Sequence, residues 1–145
     1  MRALHALPIA DCPFDSSVTA WLPIARQRVA DGLVDEDDFD ADHHGMSATA
    51  ILGMVEELTG AACSSVVAHG DFTLGNIILD AAGGVAGCID VGRLGIADPY
   101  QDIALMWRDL GGFGEQAQAA FIAALNIERI EVERLLLHRT LDELF

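Results

Sequence analysis

The stretch His69-Gly70-Asp71-Phe72-Thr73-Leu74-Gly75-Asn76 decides how this chain is read. Short apolar runs flank it: Val66-Val67-Ala68 before, and Asn76-Ile77-Ile78-Leu79 after. A third run, Val85-Ala86-Gly87-Cys88-Ile89, comes after the turn residues Ala82-Gly83-Gly84, so the last two runs predict a small hairpin. Asp90 sits where that hairpin ends, within Ile89-Asp90-Val91-Gly92-Arg93. Loops held by rigid strands are favoured places for reactive groups. Asp71, Asn76 and Asp90 together form a set of hard oxygen donors. Phosphoryl transfer needs such a set: a carboxylate to receive or orient an attacking hydroxyl, and oxygen ligands for magnesium on nucleotide phosphates. The plainer alternatives are turn formation by the two aspartates and strand capping by the asparagine.

Outward from this centre the chain reads as helix. Leu4 and Leu7 share a face over residues 1–7, and Pro8 stops that helix. Ser16 or Ser17 caps a second one reaching about Ala30, with Pro23 as a kink and Asp31-Gly32 as the stop. Ser47 caps a third; Ile51, Val55 and Leu58 fall on one face of it, and Gly60 closes it. After the hairpin, Asp98 as cap and Pro99 as first helical residue start a longer helix. Its inner face is Tyr100, Ile103, Ala104 and Trp107, and Gly111-Gly112 breaks it. Two more helices are expected, near 114–125 and 129–142. The class is α+β, mainly α, in one domain.

Composition narrows the function. Apolar residues make up 52% of the 145, enough for a core, and no apolar run approaches the roughly 20 residues of a membrane span. The three cysteines, Cys12, Cys63 and Cys88, lack zinc or disulfide spacing, so a reducing cytoplasm is the expected setting. The net charge of -15 repels nucleic acid and attracts polycationic small molecules, though acidity also serves plain solubility. Six carboxylates crowd into residues 35–42, a mutual repulsion that predicts an exposed loop. His43 and His44 follow; neighbours in sequence do not share a helix face, so they are read as part of that solvated loop rather than as metal ligands.

His69-Gly70-Asp71 with Asn76 resembles the catalytic loop of protein-kinase-like folds, in the form found in antibiotic phosphotransferases. Ile89-Asp90-Val91-Gly92-Arg93 is similar to their metal-binding segment. Leu94-Gly95-Ile96-Ala97-Asp98-Pro99-Tyr100-Gln101-Asp102-Ile103-Ala104 and the ending Leu141-Asp142-Glu143-Leu144-Phe145 resemble aminoglycoside 3′-phosphotransferases in particular. The resemblance implies the helical C-terminal lobe of that fold, acting with ATP and Mg2+ on an aminoglycoside. It implies Asp71 as the catalytic carboxylate, Arg93 beside it fixing the catalytic carboxylates, Asn76 and Asp90 as magnesium ligands, and His69 as a backbone buttress. For the cationic substrate it implies the acidic run, with Asp37 and Asp38, together with Asp142, Glu143 and Phe145. Arg108 and Asp109 are either an ordinary ion pair or part of the same pocket. The alternatives are a kinase of another small hydroxylated metabolite, or a non-catalytic binder of cationic drugs.

Relatives of this fold carry an N-terminal β-lobe with a strand lysine and a glycine-rich loop over the phosphates. All eight basic residues here are arginine, and no glycine-rich loop follows a strand. The ATP-holding lobe is therefore expected to lie outside this sequence, lost or supplied by a separate polypeptide.

Overall fold

The computed structural model describes residues 1–61 and 65–145. Cys63 lies outside them; Cys12 and Cys88 are free thiols. The described elements are helices α1 (Arg2–His5), α2 (Val18–Ala30) and α3 (Ala48–Leu58), strands β1 (Val66–Ala68), β2 (Ile77–Leu79), β3 (Val85–Cys88) and β4 (Gly95–Ala97), then helices α4 (Tyr100–Gly111), α5 (Glu115–Ala124) and α6 (Val132–Asp142). No described helix is long and apolar enough to cross a membrane.

Local chemistry sets the helix ends. The Ser17 hydroxyl accepts the Ala20 amide at the start of α2, so Ser17 rather than Ser16 is the cap. Gly32, at φ 66, ends α2 by turning left-handed, and the Leu33 amide reaches back to the Arg28 carbonyl. Ser47 caps α3 through the Ala50 amide, and Glu36 from the acidic run accepts the Ala48 amide at 2.7 Å. A carboxylate at that end also complements the helix dipole. At α4 the cap differs by one residue from expectation: Asp98 accepts the Tyr100 amide, but Pro99 stays outside the helix. The last helix starts at Val132, later than expected, and Asn126 at φ 59 lies in the connection after α5.

Helix α6 is the central pillar, packed on α3 along one side and α4 along the other. Ala25, Ile51, Val55, Leu137 and Leu144 are fully buried between α2, α3 and the end of α6. Tyr100, Ile103, Ala104 and Leu135 make a second cluster, with Trp107 half-buried beside it. Each fully buried aliphatic side chain stabilises by about 1.5–3 kcal/mol, so the carboxy-terminal residues are held by the core.

The β structure differs from the single expected hairpin. β2 and β3 do pair antiparallel, Ile77 opposite Cys88, around a turn in which Asp80 Oδ1 accepts the Ala82 and Gly84 amides. β1 instead pairs antiparallel with β4, Ala68 opposite Gly95 and Val66 opposite Ala97. Strand β4 has no counterpart among the expected runs. Two segments link the ribbons, residues 69–76 from β1 to β2 and residues 89–94 from β3 to β4, and they meet where Gly70 approaches Arg93.

Candidate active site

Asp71 stands on a loop whose backbone is fixed from below. Asp102, fully buried on α4, accepts the His69 amide at 3.0 Å and the Gly70 amide at 2.9 Å, and His5 Nε2 lies 2.8 Å from the same carboxylate. Gln101 donates to the Gly70 carbonyl at 3.1 Å. His69 is buried, and its Nδ1 faces the Asp71 amide at 3.4 Å. Asp109, at the far end of α4, accepts the Leu74 amide at 2.8 Å. The sequence alone assigns no role to His5, Gln101 or Asp102. The one signal in it is an acid on the otherwise apolar buried stretch of α4.

The Asn76 side-chain nitrogen donates to both the Asp71 carbonyl and Asp71 Oδ2, each at 2.9 Å. This leaves its amide oxygen without a partner among the described residues. The Ile89 amide bonds the Asn76 carbonyl at 3.0 Å, so Asp90, exposed and at φ 58, emerges beside Asn76. An amide oxygen and a carboxylate without hydrogen-bond partners among the described residues, on neighbouring backbone segments, suit a hard, water-carrying cation such as magnesium. The donor set thus fits that ion, which Asn76 and Asp90 would hold.

Asp71 opens onto a cavity of about 510 Å³. Seven carboxylates and three guanidinium groups line it, so its field favours cations. Of the expected residues, Asp38, Asp71, Arg93, Arg108, Asp109, Asp142, Glu143 and Phe145 line this cavity. Asp37 does not; it sits in the exposed turn Glu36–Asp38. Asn76 and Asp90 lie beside the cavity rather than in its wall. Asp35 and Asp40 join the wall from the acidic run.

Asp142 carries one arginine on each oxygen: Arg93 at 2.7 Å and Arg108 at 2.8 Å. Arg93, expected to fix the catalytic carboxylates, has Asp142 as its carboxylate partner instead. Its guanidinium packs near the rings of Phe145 and Trp21, 5.1 and 5.7 Å from their centres. Arg108 and Asp109 form an ion pair at 3.5 Å, and both line the cavity. Burial alone would ease proton loss from Arg108, but Asp142, Asp40 and Asp109 outweigh it and raise its pKa above the usual value.

The histidine reading requires correction. His44 is exposed, but His43 is only 2% exposed, because Glu143 reaches it from the other end of the chain. Glu143 Oε1 lies 2.7 Å from His43 Nδ1, and the Asp40 amide sits 3.2 Å from both Glu143 oxygens. Glu143 therefore borders the cavity with its carboxylate already engaged.

A half-buried loop aspartate, a facing asparagine and an acidic cavity thus lie together, and the chain belongs to the phosphotransferase enzyme family, whose model matches residues 1–137. It is 41% identical over its full length to an Escherichia coli aminoglycoside 3′-phosphotransferase, of which it covers 53%. A Streptomyces fradiae aminoglycoside 3′-phosphotransferase is 39% identical over 99% of the chain and 56% of the relative. Among solved structures, an aminoglycoside-3′-phosphotransferase of type VIII superposes with a TM-score of 0.92 at 38% identity, over 99% of this chain and 57% of that one. A Streptomyces rimosus aminoglycoside phosphotransferase in complex with ADP and streptomycin gives 0.87 at 34% identity, over 99% and 58%. The chain thus spans about half the length of the relatives it matches, and the fold expected from sequence agrees with theirs.

Proposed function

We propose that these 145 residues are the acceptor-binding and catalytic half of a kinase that phosphorylates a hydroxyl of a cationic aminoglycoside. The observation that carries this reading is Asp71. Its carboxylate is oriented by Asn76 and opens into a cavity dominated by carboxylates. An aminoglycoside brings both a hydroxyl for Asp71 and ammonium groups for the walls. The relatives' names and the streptomycin complex of the Streptomyces rimosus enzyme support the same class.

In the proposed reaction, the sugar hydroxyl oxygen bonds to the γ-phosphorus of ATP as the bond from that phosphorus to the β,γ-bridging oxygen breaks. ADP leaves, and the hydroxyl proton passes to Asp71. Asp71 also holds the nucleophile in line, and positioning of this kind supplies a large share of such rate enhancements. Magnesium, held by Asn76 and Asp90, would neutralise charge on the transferring phosphates. The groups that cover adenine and phosphates come from outside these residues, in a β-lobe that adjoins this one.

The test is to mix the chain with magnesium-ATP and kanamycin, alone and with the purified N-terminal half of the Escherichia coli relative, and to measure phosphorylated kanamycin. Transfer in the complemented mixture, lost with Asp71→Ala, supports the reading. Kanamycin binding without transfer in any complemented mixture favours a non-catalytic binder. Failure to bind kanamycin at low salt argues for a different hydroxylated acceptor.

A further inference from the structure

The acidic run and the C-terminal helix meet at one buried contact that the proposed chemistry does not use. His43 is 2% exposed and the Glu143 side chain 5%. His43 Nδ1 lies 2.7 Å from Glu143 Oε1, and its Nε2 lies 3.4 Å from the hydroxyl of Thr140, which is fully buried. Neutral His43 with its proton on Nδ1 donates to Glu143 and can accept from Thr140. The imidazolium donates to both. Either state leaves both ring nitrogens facing a polar group, so the contact persists across protonation. Glu143 in turn accepts the Asp40 amide with both oxygens.

That amide belongs to a residue whose side chain lines the cavity. Asp40 Oδ2 is buried without a hydrogen bond among the described residues, and its nearest cations are Arg139 at 3.7 Å and Arg108 at 3.8 Å. That oxygen is shielded from solvent, but the Asp40 side chain as a whole is 29% exposed and lines the cavity, so an ammonium group meets its carboxylate from the cavity side. Resting on the acceptor-site reading above, we infer that His43 and Glu143 are positioning residues. They clamp residues 35–42 onto α6 and so present Asp38 and Asp40 to the ammonium groups of the substrate. Glu143 acts by holding the Asp40 backbone.

Charge and position predict opposite results for one substitution. His43→Leu removes no negative charge from the cavity. By long-range electrostatics alone, cation binding stays the same or tightens. By positioning it weakens, because the acidic run loses its anchor. His43→Asn restores a donor near the place of Nδ1 and serves as the rescue. Two readouts are taken on the chain as it stands: exchange of the Asp40 backbone amide by NMR, and kanamycin affinity by calorimetry at low salt. His43→Leu is expected to speed Asp40 exchange and weaken kanamycin binding by about tenfold each, the worth of roughly one charge-assisted hydrogen bond. His43→Asn is expected to recover most of both. Unchanged Asp40 exchange, or tighter kanamycin binding, in His43→Leu overturns the inference. If that variant does not fold, Glu143→Met, which keeps a similar volume and removes both acceptor oxygens, takes its place, and a wild-type Asp40 exchange rate there is equally fatal. If the wild-type chain binds no kanamycin, the acceptor-site reading fails while the exchange comparison still decides the clamp.

Discussion

The carbonyl oxygen of Arg93 occupies the place that a side chain on Gly70 would need: a β-carbon there would stand 2.1 Å from it. Gly70 also holds φ 88, a conformation that costs other residues about 1–2 kcal/mol. The close approach brings the loop that carries Asp71 against the segment that follows Asp90. Ser16 tightens the same point by donating to the Arg93 carbonyl at 2.7 Å. Gly70→Ala is therefore expected to lower stability by at least about 2 kcal/mol, read as the urea midpoint of the chain. A loss under about 0.5 kcal/mol would show that the two loops separate without penalty.

Asp102 should be among the most sensitive single positions. It is fully buried and accepts two backbone amides in addition to its contact with His5. Asp102→Ala leaves those amides without an acceptor, at a cost of about 3 kcal/mol or more. Chemical denaturation measures this. The same substitution should also loosen residues 69–71, seen as faster exchange of the His69 and Gly70 amides. Loss of stability without that local loosening would mean that Asp102 supports α4 rather than the loop.

Acid should unfold the protein partly through Asp98. Burial pushes this carboxyl up, but His138, Arg134 and the Tyr100 amide overrule it and hold it at about 2, against an ordinary 3.8. Folded Asp98 thus stays ionised at pH values where the unfolded chain takes up a proton. Its stabilisation is complete above about pH 4 and is lost as pH falls toward about 2. The difference in urea midpoint between wild type and Asp98→Asn should shrink across that window. A difference that stays constant from neutral pH to about pH 2.5 would remove Asp98 from the account of acid unfolding.

Residues that act through neighbours in sequence are legible from the sequence alone; those that act through distant partners are not. Ala82-Gly83-Gly84 between two apolar runs announces the β2–β3 hairpin, because turn chemistry is local. Gly95-Ile96-Ala97 announces nothing: it is three residues long and begins with glycine, and it becomes a strand because β1 offers an edge on one side and residues 14–16 bridge Ile96 on the other. His43 follows the same rule. In sequence it closes an acidic, solvated run, and a partner 100 residues away takes it into the core. The motif around Asp71 and Asn76 is readable as chemistry, yet the Asp102 support beneath it depends on backbone amides that no side-chain pattern reveals.

Asp71 should separate catalysis from binding in the complemented enzyme. Asp71→Asn keeps an oxygen able to accept from Asn76 but removes the base and one charge. Turnover is expected to fall by about 10²–10⁴, the usual worth of a positioned acid–base group. Kanamycin affinity should change far less, because the other wall carboxylates remain. Wild-type turnover in Asp71→Asn would assign the role elsewhere.

Asp38 and Asp142 make the final contrast, because both line the cavity and only one is already paired. Asp38 is exposed, and no described arginine bonds it, so its attraction for an ammonium group acts through water. Such an attraction is worth about 1 kcal/mol or less and fades as salt shortens the screening length. Asp38→Asn should therefore weaken kanamycin binding modestly, and the difference from wild type should vanish at high ionic strength. Asp142 is half-buried and holds Arg93 and Arg108 together. Removing its charge leaves two guanidinium groups facing each other in the cavity, where they repel the substrate as well. Asp142→Asn should then weaken binding by much more than Asp38→Asn, lower the stability of the free chain, and keep much of its effect in salt. Calorimetry at low and high salt, with a melting curve for each variant, separates the two. Equal, fully screened losses at both positions would mean that the cavity counts charge alone and that the arginine pair on Asp142 has no part in shaping it.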